Sequence, residues 1–110
     1  MLYHGVDDEG TYRVGAVLMD LADPRKIVAR TKDFIMEPEF DYETKGIYNG
    51  CVFPTGSVVK DGVLFVYYGC ADKYVSLATA DFEKLVKLVN RFFNTSFNFF
   101  HNFLLLKIFY

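Results

Sequence analysis

The sequence has no tryptophan and little of the chemistry that marks a metal or nucleic-acid site. Of its 110 residues only two are cysteine and two are histidine, and 12 Lys and Arg stand against 14 Asp and Glu. A formal net charge of −2 without a Lys/Arg run gives no electrostatic basis for a nucleic-acid partner. The length allows one domain at most.

The cysteines and histidines do not show the spacing of metal ligands. Cys51 and Cys70 share no ligand motif with each other, with His4 or with His101, so no metal is expected. We interpret the cysteines as reduced, partly buried thiols of a cytosolic protein. A disulfide between them is the alternative that the sequence leaves open.

The sequence shows no targeting segment. The N-terminus lacks a basic region followed by an apolar one, so we expect no signal peptide and a cytoplasmic location. Residues 90–110 are apolar but interrupted by Asn and His, and they fall short of about 20 clean apolar residues. No membrane partner is therefore expected, although a β-domain tethered to a membrane through residues 92–110 is a rival hypothesis.

Phenylalanine is abundant and unevenly distributed along the chain. Seven of the 12 Phe lie in residues 90–110, so the sequence divides into an ordinary part, 1–89, and an atypical Phe/Asn-rich tail. Because Phe, Asn, Leu, Lys, Ile and Tyr share A/T-rich codons, we hypothesise that this tail is translated DNA beyond a frameshift. A buried β-rich extension is the alternative.

Short β-rich runs separated by turn residues predict an all-β fold for residues 1–89. The strongest local signal is Asp61-Gly62 between two such runs, since a two-residue type I′ turn needs positive φ at both positions. The polar and aromatic residues 41–49 are predicted to form a loop. Strands are predicted at residues 1–6, 12–21, 26–31, 57–60, 63–68 and 74–80.

A hairpin pattern occurs twice in the sequence. Placing Tyr3 on Tyr67 gives an offset of 64 residues, and a second turn three residues shorter then aligns Asp20 with Asp81. A hairpin that recurs at such a period indicates stacked sheet units, as in a β-propeller. Two unrelated hairpins would also produce this pattern.

A short amphipathic helix is predicted at residues 81–89, after the last strand. Asp81 is a suitable N-cap, and Phe82, Leu85, Val86 and Val89 follow helical spacing on one apolar face. A single helix at the end of an all-β chain commonly packs across a sheet edge and shields it.

Seven short motifs occur in a characteristic order along the chain. They are YHGV (3–6), YRVGAVLMD (12–20), DP (23–24), ART (29–31), EP (37–38), VFPTG (52–56) and YYGCAD (67–72). In these motifs the chain resembles the C-terminal part of glycoside hydrolase family 130. That family contains the β-mannoside phosphorylases, including those acting on mannosyl-glucose and on β-1,4-mannooligosaccharides. The similarity extends from Leu2 to Val89.

The resemblance implies a fold and a reaction. The expected fold is the C-terminal part, about two blades, of a five-bladed β-propeller, followed by the short helix. The expected reaction is inverting phosphorolysis of a β-mannoside to α-mannose 1-phosphate. Inorganic phosphate is the co-substrate, and no cofactor is needed. A homo-oligomer is an open expectation for the full-length protein.

The resemblance also implies that part of the catalytic site lies outside this sequence. The general acid, an Asp, and the phosphate-binding arginines of the family come from its N-terminal half. Because Met1 falls within an expected blade strand, we interpret the chain as a truncated family member. It is therefore expected to be inactive in isolation, since general acid catalysis alone contributes about 10²–10⁴-fold.

Four residues carry over from the family's motifs as candidate site residues. His4 matches a histidine that helps bind phosphate, and Asp72 matches an aspartate at the central pocket. Tyr3 and Tyr68 are candidate substrate contacts, while Cys70 replaces a small alanine. Without the resemblance, a lone histidine before glycine is more often structural, and an aspartate after a strand is more often a turn former.

Two further functions fit the same sequence. A non-catalytic sugar-binding or scaffold fragment would dock with a separately encoded N-terminal half. A β-mannoside hydrolase of the same family would use water in place of phosphate, although His4 favours phosphorolysis.

Overall fold

The fold consists of two antiparallel β-sheets and a C-terminal helix, which confirms the predicted all-β class. A computed structural model describes residues 1–94 and 106–109. The elements are β1 Leu2–Val6, β2 Tyr12–Met19, β3 Ile27–Arg30, α1 Asp41–Thr44, β4 Val52–Lys60, β5 Val63–Cys70, β6 Tyr74–Asp81, α2 Phe82–Asn94 and β7 Leu106–Phe109. The strand order is β1-β2-β3 in the first sheet and β4-β5-β6-β7 in the second.

The Asp61-Gly62 turn confirms the strongest local prediction. Asp61 has φ 51° and Gly62 has φ 76°, and the strands pair from Lys60 and Val63 outwards. β4 begins five residues earlier than predicted, at Val52. It accommodates Pro54 because it is an edge strand whose register shifts between Pro54 and Gly56.

The two hairpins correspond, but by a different alignment from the predicted one. The Gly10 N–H donates to the Asp7 carbonyl at 3.0 Å, and the Lys73 N–H donates to the Cys70 carbonyl at 3.0 Å. These matching turn bonds lie 63 residues apart on both sides of the turn. The predicted alignment, with an offset of 64 residues and a shorter second turn, is therefore wrong by one residue. A shift of one residue matters because it places each side chain of the strand on the opposite face of the sheet.

Helix α2 begins as predicted but is longer. The Asp81 Oδ1 atom accepts a hydrogen bond from the Lys84 N–H at 2.9 Å, which is the expected N-cap bond. Leu85 and Val89 on the predicted apolar face are buried. The helix ends at Asn94 rather than at residue 89, so it includes the first residues of the Phe-rich segment.

The tail is described only in part. Leu106–Phe109 forms β7, which pairs with residues 76–79 of β6. Residues 95–105 and 110 lie outside the described part of the chain, so the frameshift hypothesis stays a prediction. Among the described residues, no helix has the length and apolar character to cross a membrane.

The core joins the two sheets to α2. Small and β-branched side chains dominate it, as is typical of closely packed sheets. Its buried members are Val14, Ala16, Ala29, Met36, Val52, Leu64, Val66, Tyr68, Cys70, Ala78, Ala80, Leu85 and Val89. The core therefore holds β1 and β5, the strands that carry the candidate residues Tyr3, His4 and Tyr68.

Candidate functional site

Four aromatic side chains meet where the first sheet contacts the start of β4. The His4 and Phe53 ring centroids are 4.0 Å apart, and Tyr12 lies 5.7 Å from His4 and 6.2 Å from Phe53. Tyr48 packs edge-on against Tyr12 at 5.4 Å. We call His4, Tyr12, Tyr48 and Phe53 the aromatic cluster.

Strand register places the members of the aromatic cluster together. His4 on β1 is opposite Val14 on β2, and Tyr12 lies two residues before Val14, so His4 and Tyr12 share one face. The Tyr12 N–H donates to the Gly50 carbonyl at 2.9 Å, which brings the start of β4 beside β2. Phe53 then lies three residues further along the chain, within reach of His4.

Asp72 lies in the turn between β5 and β6, which contacts the aromatic cluster through Tyr48. Ala71 and Asp72 both have positive φ, 49° and 54°. The Tyr48 N–H donates to the Ala71 carbonyl at 2.9 Å, and the Ala71 N–H donates to the Cys51 carbonyl at 2.9 Å. His4 and Asp72 are therefore linked through Tyr48 and Tyr12.

The Asp72 carboxylate acts on the buried thiol of Cys51. Burial raises the pKa of the Cys51 thiol, and the negative charge of Asp72 raises that pKa further. Cys51 and Cys70 are both buried thiols that are not joined in a disulfide, in agreement with the predicted reduced cysteines.

Tyr3 lies on the opposite face of β1 from His4, because successive side chains of a strand alternate. It is opposite Gly15, and its ring occupies the space that a β-carbon on Gly15 would fill. Arg30 lies over this ring and donates to the Tyr3 hydroxyl at 3.3 Å. The structure does not bring Tyr3 to the aromatic cluster.

Tyr68 is fully buried and its hydroxyl donates to Glu43 Oε1 at 2.7 Å. Burial is the main cause of the raised pKa of Tyr68. Glu43 is also buried, and its Oε2 atom accepts the backbone N–H groups of Glu39 at 2.7 Å and Phe40 at 3.0 Å. The role of Tyr68 as a substrate contact stays a prediction.

Sequence reasoning missed Glu43 and three members of the aromatic cluster. Residues 41–49 were predicted to be a loop, but they contain α1, whose Glu43 is directed into the core. The signal for Phe53 was its place in the VFPTG motif, beside a strand start. Tyr12 and Tyr48 carried no sequence signal beyond being aromatic.

Comparisons with known proteins decide the family. Residues 1–91 match the family model of glycoside hydrolase 130, with the description beta-1,4-mannooligosaccharide phosphorylase. The chain belongs to glycoside hydrolase family 130. A beta-1,2-mannobiose phosphorylase of Thermoanaerobacter sp. (strain X514) is 44% identical over 85 residues, covering 77% of this chain and 28% of that protein.

Further relatives support the same family. The beta-1,4-mannooligosaccharide phosphorylase of Ruminococcus albus is 32% identical over 92 residues, covering 79% of this chain and 28% of that protein. The solved structure of a beta-1,2-mannobiose phosphorylase from Listeria innocua, in complex with beta-1,2-mannobiose, superposes with a TM-score of 0.78 at 36% identity. That match covers 82% of this chain and 26% of the solved chain.

This family member therefore spans only about 28% of the length of the curated relatives it matches. Within that span the aromatic cluster offers the imidazole of His4 beside apolar ring faces, and Asp72 adds a carboxylate in the turn whose Ala71 carbonyl accepts the Tyr48 N–H. Imidazole can contact an anion, and carboxylates hydrogen-bond hydroxyl groups. Within residues 1–94 and 106–109, no group of three His, Cys, Asp or Glu residues could hold a metal ion.

Proposed function

We propose that the chain is a portion of a β-mannoside phosphorylase, in which a β-mannosyl bond is cleaved by inorganic phosphate to give α-mannose 1-phosphate. The observation that carries this proposal is the 44% identity to a protein named beta-1,2-mannobiose phosphorylase. The 0.78 TM-score against the Listeria innocua beta-1,2-mannobiose complex supports it. β-1,2-Mannobiose is the first substrate to test.

The proposed fold of the whole protein is a five-bladed β-propeller. The two sheets would be two of its blades, since a propeller is built from repeated sheets of about four strands around a central channel. The matching turn bonds of the two hairpins support a repeated unit.

In the whole protein, His4 would contact the phosphate and Asp72 would hydrogen-bond sugar hydroxyls. Two features support these roles: the ring of His4 is exposed beside Phe53, and Asp72 is exposed in its turn. An exposed imidazole that is positioned by a neighbouring ring can donate a hydrogen bond to a phosphate oxygen. Tyr3 and Tyr68 would act more remotely, through the packing of β1 and β5.

The isolated chain is proposed to be inactive, because the family's general acid and phosphate-binding arginines come from the portion that this chain does not span. The first assay incubates the purified chain with β-1,2-mannobiose and phosphate. We expect no mannose 1-phosphate, and its release would overturn this part of the proposal.

A chimera tests the positive part of the proposal. The Thermoanaerobacter beta-1,2-mannobiose phosphorylase, with its matched 85 residues replaced by those of this chain, should form mannose 1-phosphate. In that chimera His4→Ala should raise the KM for phosphate more than the KM for the sugar, and Asp72→Asn should do the reverse. Asp8→Asn is the control, because Asp8 is an exposed turn residue of the first hairpin. A folded chimera without activity would contradict the proposal.

A further inference from the structure

The turn between β5 and β6 has a backbone conformation that its residue types do not favour. Ala71 and Asp72 have φ 49° and 54°, and the Lys73 N–H closes the turn by donating to the Cys70 carbonyl at 3.0 Å. The Asp61-Gly62 turn has similar positive φ values, 51° and 76°, but its residue types favour them. Alanine rarely adopts the left-handed conformation, because its β-carbon then comes too close to the following carbonyl oxygen. Contacts from outside the turn are therefore needed to hold Ala71.

Segment 43–51 supplies these contacts and encloses Ala71, which is fully buried. The Ala71 N–H donates to the Cys51 carbonyl at 2.9 Å, and the Ala71 carbonyl accepts the Tyr48 N–H at 2.9 Å. Gly46 lies against the same residue, because a β-carbon on Gly46 would overlap the carbonyl oxygen of Ala71 and lie 2.6 Å from its β-carbon. One segment therefore fixes the N–H group, the C=O group and the side chain of Ala71.

The buried carboxylate of Glu43 holds segment 43–51 in place. Its Oε1 atom accepts a hydrogen bond from the Tyr68 hydroxyl at 2.7 Å, and Tyr68 lies on β5 three residues before Ala71. The Glu43 carbonyl accepts the Cys51 N–H at 3.0 Å, which closes the segment on itself. Because Glu43 has no exposed surface, the segment cannot shift without breaking a buried hydrogen bond, which is costly.

The carboxylate of Asp72 is exposed at the tip of this turn. Within residues 1–94 and 106–109, no hydrogen bond or ion pair restrains this carboxylate. The conformation of the turn therefore sets the direction in which the carboxylate leaves the backbone. Residues held in a sparsely populated backbone conformation by the surrounding structure cluster at functional sites.

We propose that Glu43 and Gly46 are positioning residues for Asp72. Together they hold segment 43–51 against Ala71, which keeps Ala71 and Asp72 in the left-handed conformation and fixes the direction of the Asp72 carboxylate. The effect on catalysis rests on the proposed function, in which this carboxylate hydrogen-bonds sugar hydroxyls. The effect on the turn rests only on contacts within the chain, so the two are tested separately.

NMR of the purified full chain tests the turn without sugar or phosphate. The intraresidue NOE between the amide and α-hydrogens is strong for a residue with positive φ and weak in an extended strand. Gly46→Ala should weaken this NOE at Ala71 and Asp72, because the added methyl group does not fit beside the Ala71 carbonyl. Gly56→Ala on β4 is the matched control, since nothing lies within 4 Å of its added β-carbon. Neither glycine has positive φ, so alanine is compatible with both backbone positions.

Tyr68→Phe is a milder variant that tests Glu43 even if Gly46→Ala does not fold. It removes the hydroxyl that joins Glu43 to β5 and keeps the ring that packs in the core. We expect a partial loss of the same NOE at Ala71. Tyr68 also shares a hydrogen bond with Ser76, so Ser76→Ala is the control and should leave the NOE unchanged. An equal loss in Ser76→Ala would overturn the role of Glu43.

The chimera with the Thermoanaerobacter beta-1,2-mannobiose phosphorylase tests the effect on catalysis. Gly46→Ala should raise the KM for β-1,2-mannobiose by about 3- to 10-fold, the effect of one weakened hydrogen bond, and leave the KM for phosphate within about twofold. Added to Asp72→Asn, it should raise the sugar KM little further, because the carboxylate that it positions is already absent. A loss of stability alone would lower the active fraction, and with it kcat, and leave both KM values unchanged.

Two results would overturn the proposal. One is an NOE at Ala71 that stays strong in both Gly46→Ala and Tyr68→Phe, because segment 43–51 would then not hold the turn. The other is a sugar KM that Gly46→Ala raises by the same factor with and without Asp72→Asn. By contrast, an unchanged sugar KM in Asp72→Asn would contradict the proposed role of Asp72 in binding sugar, and the NOE would still decide what holds the turn.

Discussion

The two sheets are built on the same hairpin but differ in what surrounds it. In the second sheet, β5 is paired on both sides, by β4 and β6, and Tyr68 on β5 is anchored to the buried Glu43. In the first sheet, β1 is paired only with β2, and the described residues leave its other edge open. The comparison shows that β5 is paired along both of its edges, whereas within the described residues β1 is paired along one edge only.

The largest expected effect concerns the anchor of the second sheet. Glu43→Ala removes a buried carboxylate that accepts hydrogen bonds from the Tyr68 hydroxyl and from the backbone N–H groups of Glu39 and Phe40, so these donors lose that acceptor. We expect a loss of about 3 to 5 kcal/mol in the free energy of unfolding, measured with urea. Tyr68→Phe should cost about 1 to 3 kcal/mol, since it removes one donor only.

Glu9→Ala is the control for this prediction. Glu9 is an exposed turn residue of the first hairpin, so its removal should change stability by less than about 0.5 kcal/mol. If Glu43→Ala unfolded at the same urea concentration as the unsubstituted chain, Tyr68 would be held by its packing and by its hydrogen bond with Ser76. The second sheet would then have no polar anchor that distinguishes it from the first.

A structural feature could be predicted from the sequence when the residues that form it are neighbours in the chain, and could not when they are far apart in the chain. The Asp61-Gly62 turn and the Asp81 cap were predicted, because their signals involve neighbouring residues. The burial of Glu43 was not predictable, since its partner Tyr68 is 25 residues away and an acidic residue in a polar segment is normally exposed.

The correspondence of the two hairpins shows a second limit. A Tyr-x-Gly match identifies a similar strand but does not say which face each side chain occupies. The turn bonds of Asp7 and Cys70 fix that face, and they shift the predicted alignment by one residue. The aromatic cluster was equally hidden, because Tyr12, Tyr48 and Phe53 come from three separate segments.

A second prediction tests the internal packing of the first sheet. A β-carbon on Gly15 would lie 2.4 Å from Cζ and 2.5 Å from the hydroxyl oxygen of Tyr3, so Gly15→Ala must displace that ring. We expect a loss of about 1 to 3 kcal/mol in the free energy of unfolding. Gly5→Ala in the same sheet is the matched control, because nothing lies within 4 Å of its added β-carbon.

The double variant decides whether the ring is the cause. If Tyr3 is what resists the new methyl group, Tyr3→Ala combined with Gly15→Ala should cost less than the sum of the two single variants. Strict additivity would point to backbone strain instead. In that case the Tyr3 ring would not be what holds the two strands of the first hairpin together.

A third prediction concerns the ring contact that joins the two sheets. His4 and Phe53 are 4.0 Å apart between ring centroids, and a double-mutant cycle with alanine should give a coupling of about 0.5 to 1.5 kcal/mol. His4 with Phe34 is the control pair, because Phe34 lies against Arg13 on the opposite face of the first sheet. A coupling as small as that of the control pair would show that this ring pair adds nothing measurable, and that the shared core and the Tyr12–Gly50 hydrogen bond join the sheets instead.

The smallest expected effect concerns the electrostatic interaction between the Asp72 carboxylate, in the turn of the second hairpin, and the Cys51 thiol. Because burial and the charge of Asp72 both raise the pKa of the Cys51 thiol, the folded state favours the neutral form. The stability that follows from this shift is present below the pKa of the unfolded thiol and is lost as pH rises through the folded value. Removing the charge with Asp72→Asn should lower the pKa of Cys51 and move the pH profile of its alkylation to lower pH.

Peptide mass spectrometry after iodoacetamide treatment separates Cys51 from the fully buried Cys70. Asp8→Asn removes an equal charge from the turn of the first hairpin. That turn has the same backbone hydrogen bond, but Asp8 is not one of the causes that raise the pKa of the Cys51 thiol, so the alkylation profile of Cys51 should stay unchanged. If both variants moved the profile equally, the effect would be one of net charge. A shift with Asp72→Asn alone would show that the Asp72 carboxylate lies close to Cys51, at the start of β4. This is the side of the second sheet that contacts the aromatic cluster through Tyr48.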